Sequence, residues 1–308
     1  MNKSKLRVLV IVNPGASRAE AALPALSSWF TEHCAATVVV AKSKKERKRT
    51  LKARGKEADL IVIGGGDGTI SRALPQLLKL KKPFAVLPLG TANDFARTIG
   101  LPEDPLQAAD VALNGRKHRI DVGIVNGHPF LNVASVGLAS NVAALQSKEL
   151  KRKWHVGAYA IALLRAVSNL KPFAAQLELD GEPTWSGSVY QVSVGNGRFH
   201  GGGLTVAEDA AIDDGKFNLY LVYPGRFWQL LASLAHLKFG WPKPNVLERL
   251  TALTVTLSTN RPRAIDADGV RTTETPARFE LRPRSLKVIV PRTLSLKHRG
   301  LSHEQIYK

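Results

Sequence analysis

Up to about residue 115 the chain alternates short aliphatic runs with longer helical stretches. The runs lie at 6–12, 37–41, 60–63 and 84–89, and helices are expected near 18–33, 44–56, 69–80 and 104–114. Strand and helix in regular alternation is the pattern of a parallel sheet covered by helices. Residues 1–116 are therefore expected to form an α/β domain.

Past Arg116 the texture changes. Strand-like runs at 120–125, 175–179, 189–194, 217–222, 253–257, 277–281 and 286–290 follow one another with turn residues between them. Such spacing argues a mostly antiparallel β-sandwich over 117–294. Two helical insertions interrupt it: 154–170, apolar on much of its circumference, and 226–239. From 295 to 308 the residues are polar, and a loosely held tail is expected.

Composition sharpens this picture. A chain of 308 residues, 44% of them hydrophobic, can bury two domain cores. Its 44 Lys and Arg against 25 Asp and Glu leave a formal charge of +19, which draws it toward phosphates. Nothing reads as a zinc finger, an RNP motif or a basic helix pair, so no nucleic-acid partner is expected, while an anionic membrane surface stays open. The basic runs 42–49, 79–82 and 148–153 are solvated helix faces on the ordinary reading. On the functional one they attract anionic headgroups, at about 1 kcal/mol for each Lys or Arg near the surface. Trp154, Tyr159 and the apolar 161–164 follow the third run, as a membrane-docking or acyl-binding element or as core. The single cysteine, Cys34, excludes internal disulfides, fits a reducing compartment and is expected as a buried thiol. The opening LRVLVIV is too short to span a bilayer and runs into NPGAS, not a signal-cleavage pattern.

Two segments carry candidate chemistry. LIVIGGGDGT at 60–69 is an apolar strand entering a glycine-rich turn and then a helix. Glycines at 64, 65, 66 and 68 let backbone N–H groups approach phosphate oxygens, and the helix N-terminus adds partial positive charge. Asp67 would repel phosphate, so its carboxylate handles Mg²⁺ or orients the loop. A tight turn with an Asp cap is the plain structural alternative. LPLGTANDFAR at 87–97 repeats the order of strand end, glycine and helix start. In open α/β sheets ligands bind outside the carboxyl ends of strands, so the two loops can face one crevice. Thr91 and Asn93 offer uncharged polar groups to a nucleotide, and Asp94 reads as a helix cap.

Together the two segments resemble the lipid kinase family of diacylglycerol kinases, sphingosine kinases and their soluble bacterial relatives, with ATP-NAD kinases more distant. The resemblance continues through NPGAS at 13–17, FLNVASVG at 130–137, GNGRFHGGG at 195–203, AIDDG at 211–215, DADG at 266–269 and TPARFE at 275–280. It implies ATP held by Asn13, the turn from Gly65 and Gly66 through Asp67 and Gly68 to Thr69, and Thr91 with Asn93. It also implies a β-sandwich that supplies a proton acceptor and a metal loop. The family's general base is the Asp of a late Asp-Gly-Glu motif, which falls on Asp268. A carboxylate there can take the proton of a lipid hydroxyl as the γ-phosphoryl group transfers. Asp266 is its nearest rival, and an ordinary Asp-Gly hairpin turn is the structural alternative. A second Mg²⁺ is implied at Asp214 with the carbonyls of Ala211 and Lys216, against a solvated turn. The catalytic Mg²⁺ belongs near Asp67.

Two segments depart from the family pattern. The segment after GGDGT usually ends Asn-Glu, whereas Ser71 and Arg72 stand here, and the late Asp-Gly-Glu reads Asp268, Gly269, Val270. The expectation is an ATP- and Mg²⁺-dependent lipid kinase, cytoplasmic and peripheral to the inner face of the membrane, with a homodimer as an option. A kinase of a soluble acceptor and a lipid- or nucleotide-binding protein without activity are the alternatives.

Overall fold

The computed structural model describes residues 6–137, 171–196, 199–200, 204–205, 211–225, 229 and 247–293. The chain divides into two units. One holds the chain to Val122 with Ala211–Asp214 and the stretch from Arg282; the other holds the remainder from Gly123 to Leu281. The expected single cut after 116 thus differs from this division, in which a four-residue loop and the last strand return to the first unit. Insertion 154–170, insertion 226–239 apart from Gln229, the basic run 148–153 and the tail from 295 lie outside the described residues.

The first unit runs β1 (Arg7–Val12), α1 (Ala19–His33), β2 (Ala35–Val40), α2 (Lys44–Arg54), β3 (Leu60–Gly65), α3 (Asp67–Leu80), β4 (Phe84–Pro88), α4 (Asp94–Thr98), α5 (Pro105–Asn114) and the start of β5 (Arg116–Val125). Its strands pair in parallel in the order β2-β1-β3-β4, as the alternation required. Their near-continuous aliphatic character follows from burial: every residue of β3 and β4 is buried. Helix α3 buries Ile70, Ala73, Leu74 and Leu77, the apolar stripe expected of a helix laid on a sheet. Helix α2 starts at Ser43, whose side chain accepts the Glu46 N–H, and α5 starts at Asp104, which accepts from Leu106 and Gln107.

The second unit carries β6 (His128–Phe130), β7 (Val133–Gly137), β8 (Phe173–Leu179), β9 (Glu182–Val189), β10 (Gln191–Gly195), β11 (Phe199–His200), β12 (Leu204–Thr205), β13 (Phe217–Val222), β14 (Leu247–Ala252), β15 (Thr254–Thr259), β16 (Ala264–Ala267), β17 (Val270–Glu274) and the start of β18 (Ala277–Val290). Its antiparallel pairs run β14-β13-β10-β7-β16-β17 in one sheet and β18-β15-β8-β9 in another. Between them lies a core of Val136, Leu177, Val194, Leu219, Leu257 and Phe279 among others, so the sandwich is observed.

The runs 277–281 and 286–290, expected as two strands, are one. The polar RPRS between them reads as a turn but stays within β18 as an irregularity at Arg284, whose φ is 47°. The Arg284 N–H is held by the buried Asp121 carboxylate at 2.7 Å. The strand then reaches the first unit, where Val288 pairs in parallel with Phe84 of β4.

Among the described residues, three hairpins turn on an Asx-Gly pair: Asn126-Gly127, Asp180-Gly181 and Asp268-Gly269, all with positive φ. Two central residues with positive φ match the twist of the flanking strands, which is why Asn-Gly and Asp-Gly dominate such turns. In each, the Asx side chain also accepts backbone N–H groups of another segment. Asn126 takes that of Arg278, and Asp180 takes those of Leu253 and Thr254.

Candidate active site

In the order β2-β1-β3-β4 the chain leaves β1 toward β2 on one side and returns to β3 on the other. The carboxyl ends of β1 and β3 therefore border a topological switch point, where open α/β sheets bind ligands. Asn13 follows β1 and Gly66 follows β3. The Asn13 N–H donates to Gly64 O at 2.9 Å, and its Nδ2 donates to the buried Thr69 Oγ at 2.9 Å. Asn13 thus ties the first loop to the first turn of α3.

The loop after β4 joins the same edge. Leu89 O accepts the Arg18 N–H at 3.0 Å and the Ser17 hydroxyl at 3.3 Å, and Leu89 N donates to Gly65 O at 3.2 Å. Gly66 and Gly90 meet backbone to backbone: a Cβ on Gly90 would stand 2.4 Å from Gly66 Cα. Only glycine fits there, so the two glycine motifs act as one construction. A Cβ on Gly65 would likewise stand 2.6 Å from Thr69 Cβ.

Asp67 provides another cross-link. Its Oδ1 accepts the Phe95 N–H at 2.9 Å, so the carboxylate of the first motif sits at the start of α4 in the second. This bond orients the loop, one of the two roles expected for Asp67 beside handling Mg²⁺. The cap position of α4 is Asn93, not Asp94 as the sequence suggested. Asn93 has a φ of 52° and is buried, and its amide bonds Gly90 in both directions at 2.9 Å. It shapes the turn, which leaves Thr91, exposed and 3.5 Å from the Ser17 hydroxyl, as the outward polar group.

Asp94 is instead a buried carboxylate beside Asp67. Burial pushes the Asp67 carboxyl above its ordinary range; the Phe95 amide opposes the rise and the charge of Asp94 adds to it. Two oxygen-only donors of like charge at a phosphate-type turn fit a hard divalent cation, which would relieve their repulsion. The second motif's Asp carried this signal, obscured because Asp is also a common cap.

In the second unit Asp268 is buried, and its carboxylate holds a row of backbone amides: Leu131 N to Oδ2 at 2.8 Å, Asn132 N to Oδ1 at 2.8 Å and Val133 N to Oδ1 at 3.2 Å. The Asp-Gly hairpin alternative is thus the observed local structure, and Asp268 repeats the device of Asn126 and Asp180. Asp266, on β16, has its carboxyl raised by burial, with Arg271 opposing.

The AIDDG loop is a tight turn in which the Asp214 N–H donates to Ala211 O at 3.2 Å and the Asp214 carboxylate accepts the Ala211 N–H at 3.3 Å. Ala211 and Asp214 are therefore brought together, with Lys216 following Gly215 at φ 75°. Asp213 turns the other way, to His118 Nε2 at 2.9 Å. Among the described residues no three His, Cys, Asp or Glu side chains gather. A cation here would rely on one carboxylate and carbonyls, an oxygen set that fits Mg²⁺ in kind.

Residues 7–125 match the model of the diacylglycerol kinase catalytic domain, and 132–290 match that of the YegS C-terminal NAD kinase beta sandwich-like domain. A "probable lipid kinase YegS-like" of Pseudomonas fluorescens (strain Pf0-1) is 34% identical over 250 residues, covering 79% of this chain and 80% of that one. The chain belongs to the diacylglycerol-kinase-like lipid kinase family. A second relative so described, from Pseudomonas savastanoi pv. phaseolicola, is 37% identical over 239 residues, 75% of each chain. The crystal structure of a "putative diacylglycerol kinase" from Bacillus anthracis str. Sterne superposes with a TM-score of 0.80 at 25% identity, covering 96% of this chain and all of that one. Within this family pattern the two glycine motifs are the segments that the fold brings together at the sheet edge.

Proposed function

We propose that the chain is an ATP- and Mg²⁺-dependent lipid kinase that moves the γ-phosphoryl group onto the hydroxyl of diacylglycerol or a related lipid. The observation that carries this reading is the contact of the Gly66 and Gly90 backbones at the switch point, a side-chain-free cradle at a helix N-terminus. Backbone N–H groups there offer donors for ATP phosphates, with Asn13, Thr69 and Thr91 around them. Asp67 and Asp94 would hold the cation, which when bound neutralises phosphate charge. A second ion would take Asp214 with the carbonyls of Ala211 and Lys216.

Asp268 is the proton acceptor in this proposal. Three amide donors fix the position of its carboxylate. In a loose phosphoryl-transfer transition state little nucleophile activation is needed, so orienting the hydroxyl is the larger task. The exposed lysines of 42–49 and 79–82 suit attachment to an anionic surface on the inner face of the membrane. No helix among the described residues is long and apolar enough to cross a membrane.

The deciding experiment follows labelled γ-phosphate from ATP into a lipid panel in mixed micelles with Mg²⁺, for the parent chain and Asp67→Asn. Labelled lipid, lost in the variant, is expected. The Asn variant should keep its fold, because Oδ1 still accepts the Phe95 N–H. A carboxyl raised in the folded state destabilises the fold once ionised, from the ordinary value of 3.8 upward. Asp67→Asn should therefore melt above the parent at pH 7, with the difference fading as pH falls toward 3.8, and should lose the parent's stabilisation by Mg²⁺. ATP binding without labelled lipid would favour the second reading, a non-catalytic binding protein, to which Val270 in place of the motif's Glu already points.

A further inference from the structure

The basic run 42–49 is not uniformly a solvated face. On α2 the buried positions are Arg47 and Leu51, one turn apart and turned toward α3, against which α2 packs. Arg47 is only 6% exposed. Among the described residues no carboxylate pairs with its guanidinium and no acceptor bonds it. The charge that acts on it is another cation, Arg72 on α3, and burial with that neighbour pushes its proton affinity below the usual arginine value. An arginine does not shed its proton at accessible pH, so the two charges stand uncompensated. The stem of Arg47 is buried while its guanidinium nitrogens still reach solvent, so its charge stands beside a second like charge and within reach of an anion.

Arg72 ties this pair to the glycine turn. It is exposed, and its Nη1 donates to Gly68 O at 2.8 Å. Gly68 closes the GGGDG turn, and the remaining donors of the Arg72 fork are available. Two guanidinium groups without a carboxylate partner among the described residues, one on a buried stem with its nitrogens reaching solvent and one anchored on a phosphate-type turn, make a pre-organised acceptor for a tetrahedral dianion. Phosphate is the best match, since guanidinium forks bond its oxygens in pairs.

We propose that Arg47 and Arg72 bind a phosphate group beside the GGGDG turn. The phosphate could be free, part of a nucleotide or part of an anionic lipid headgroup; the chemistry of recognition is the same. The inference rests on reading the turn as a phosphate cradle, but its test needs no turnover.

The full chain is melted in increasing sodium phosphate against sodium chloride of equal ionic strength, alongside Arg47→Met and Arg72→Met. Methionine keeps the length and apolar stem of arginine and drops the charge. The parent's Tm should rise with phosphate beyond chloride, and both variants should lose that rise, corresponding to affinity at least tenfold weaker. Without phosphate, Arg47→Met should melt above the parent, since the like-charge contact is gone and the buried stem is kept. A general salting effect of phosphate would persist in the variants. Equal phosphate responses in all chains, or a chloride response matching that to phosphate, would overturn the proposal, as would Arg47→Met melting lower with its response intact. If Arg47→Met does not fold, the exposed Arg72→Met carries the same comparison. Repeating the series with ATP, with ADP and with phosphatidylglycerol against phosphatidylcholine vesicles assigns the source: the ligand whose effect depends on both arginines owns the phosphate. A chain that labels no lipid yet keeps an Arg47-dependent response to phosphate would sink the kinase reading and leave this site standing.

Discussion

Gly90→Ala should cost the protein its proposed nucleotide site as well as stability. The new methyl group would stand 2.4 Å from Gly66 Cα, 2.8 Å from Asn93 Oδ1 and 3.1 Å from Gly66 N. Two of these atoms belong to the backbone and cannot swing aside. The loop after β4 must separate from the turn after β3, pulling on Asn93 and on the Asp67–Phe95 bond. Overpacking of this kind costs about 1–3 kcal/mol. ATP affinity should fall at least tenfold, because the cradle is made by that approach. Gly127→Ala is the matched control: its φ is 80° but nothing lies within 4 Å, so only conformational strain of about 1–2 kcal/mol is expected. Urea unfolding and calorimetric ATP titration of both variants make the comparison. Unchanged ATP affinity in Gly90→Ala would mean that the nucleotide binds elsewhere.

Asp268→Ala should be the most destabilising change in the second unit. It leaves the amides of Leu131, Asn132 and Val133 in a buried place without their acceptor. Orphaned buried donors each cost about 1–3 kcal/mol, so a loss on the order of 3–5 kcal/mol is expected after partial relaxation. Asp268→Asn keeps one oxygen and should lose roughly half of that. Asp180→Ala removes a similar cap at an exposed turn, where Leu253 and Thr254 can turn to water, and should cost only about 1 kcal/mol. The same variants separate structure from catalysis. If Asp268 also accepts the lipid proton, the Asn variant loses roughly a hundredfold or more in transfer while still folded. If its role is the amide row alone, activity follows the folded fraction measured by circular dichroism.

The elements were legible where local chemistry and burial agree. Strands β1, β3 and β4 are aliphatic because the sheet buries them, and helices α2 and α5 carry their own caps at Ser43 and Asp104. The Asx-Gly hairpins were legible for the same reason, since positive φ at two successive residues is a local demand. Arg282–Ser285 looks like a turn, and distant groups, the Asp121 carboxylate at the Arg284 N–H and the Arg119 guanidinium at its carbonyl, hold it in β18.

Residue type and order alone determined the two-part architecture, the two glycine motifs and the family. What a given polar side chain does was decided in three dimensions. The order of residues offers Asp94 as the cap of α4, yet Asn93 holds the cap position and the Phe95 amide at the helix start is held by Asp67, from a loop far away in sequence. Asp268 carries the motif's letter, yet its carboxylate is committed to amides well over a hundred positions earlier. Arg47 sits in a run that reads as solvated, and only the packing of α2 on α3 buries it beside Arg72. The physical reason is common to these cases. Backbone propensity acts over a few neighbouring residues, whereas hydrogen bonding and charge depend on whatever the fold brings within about 3–4 Å.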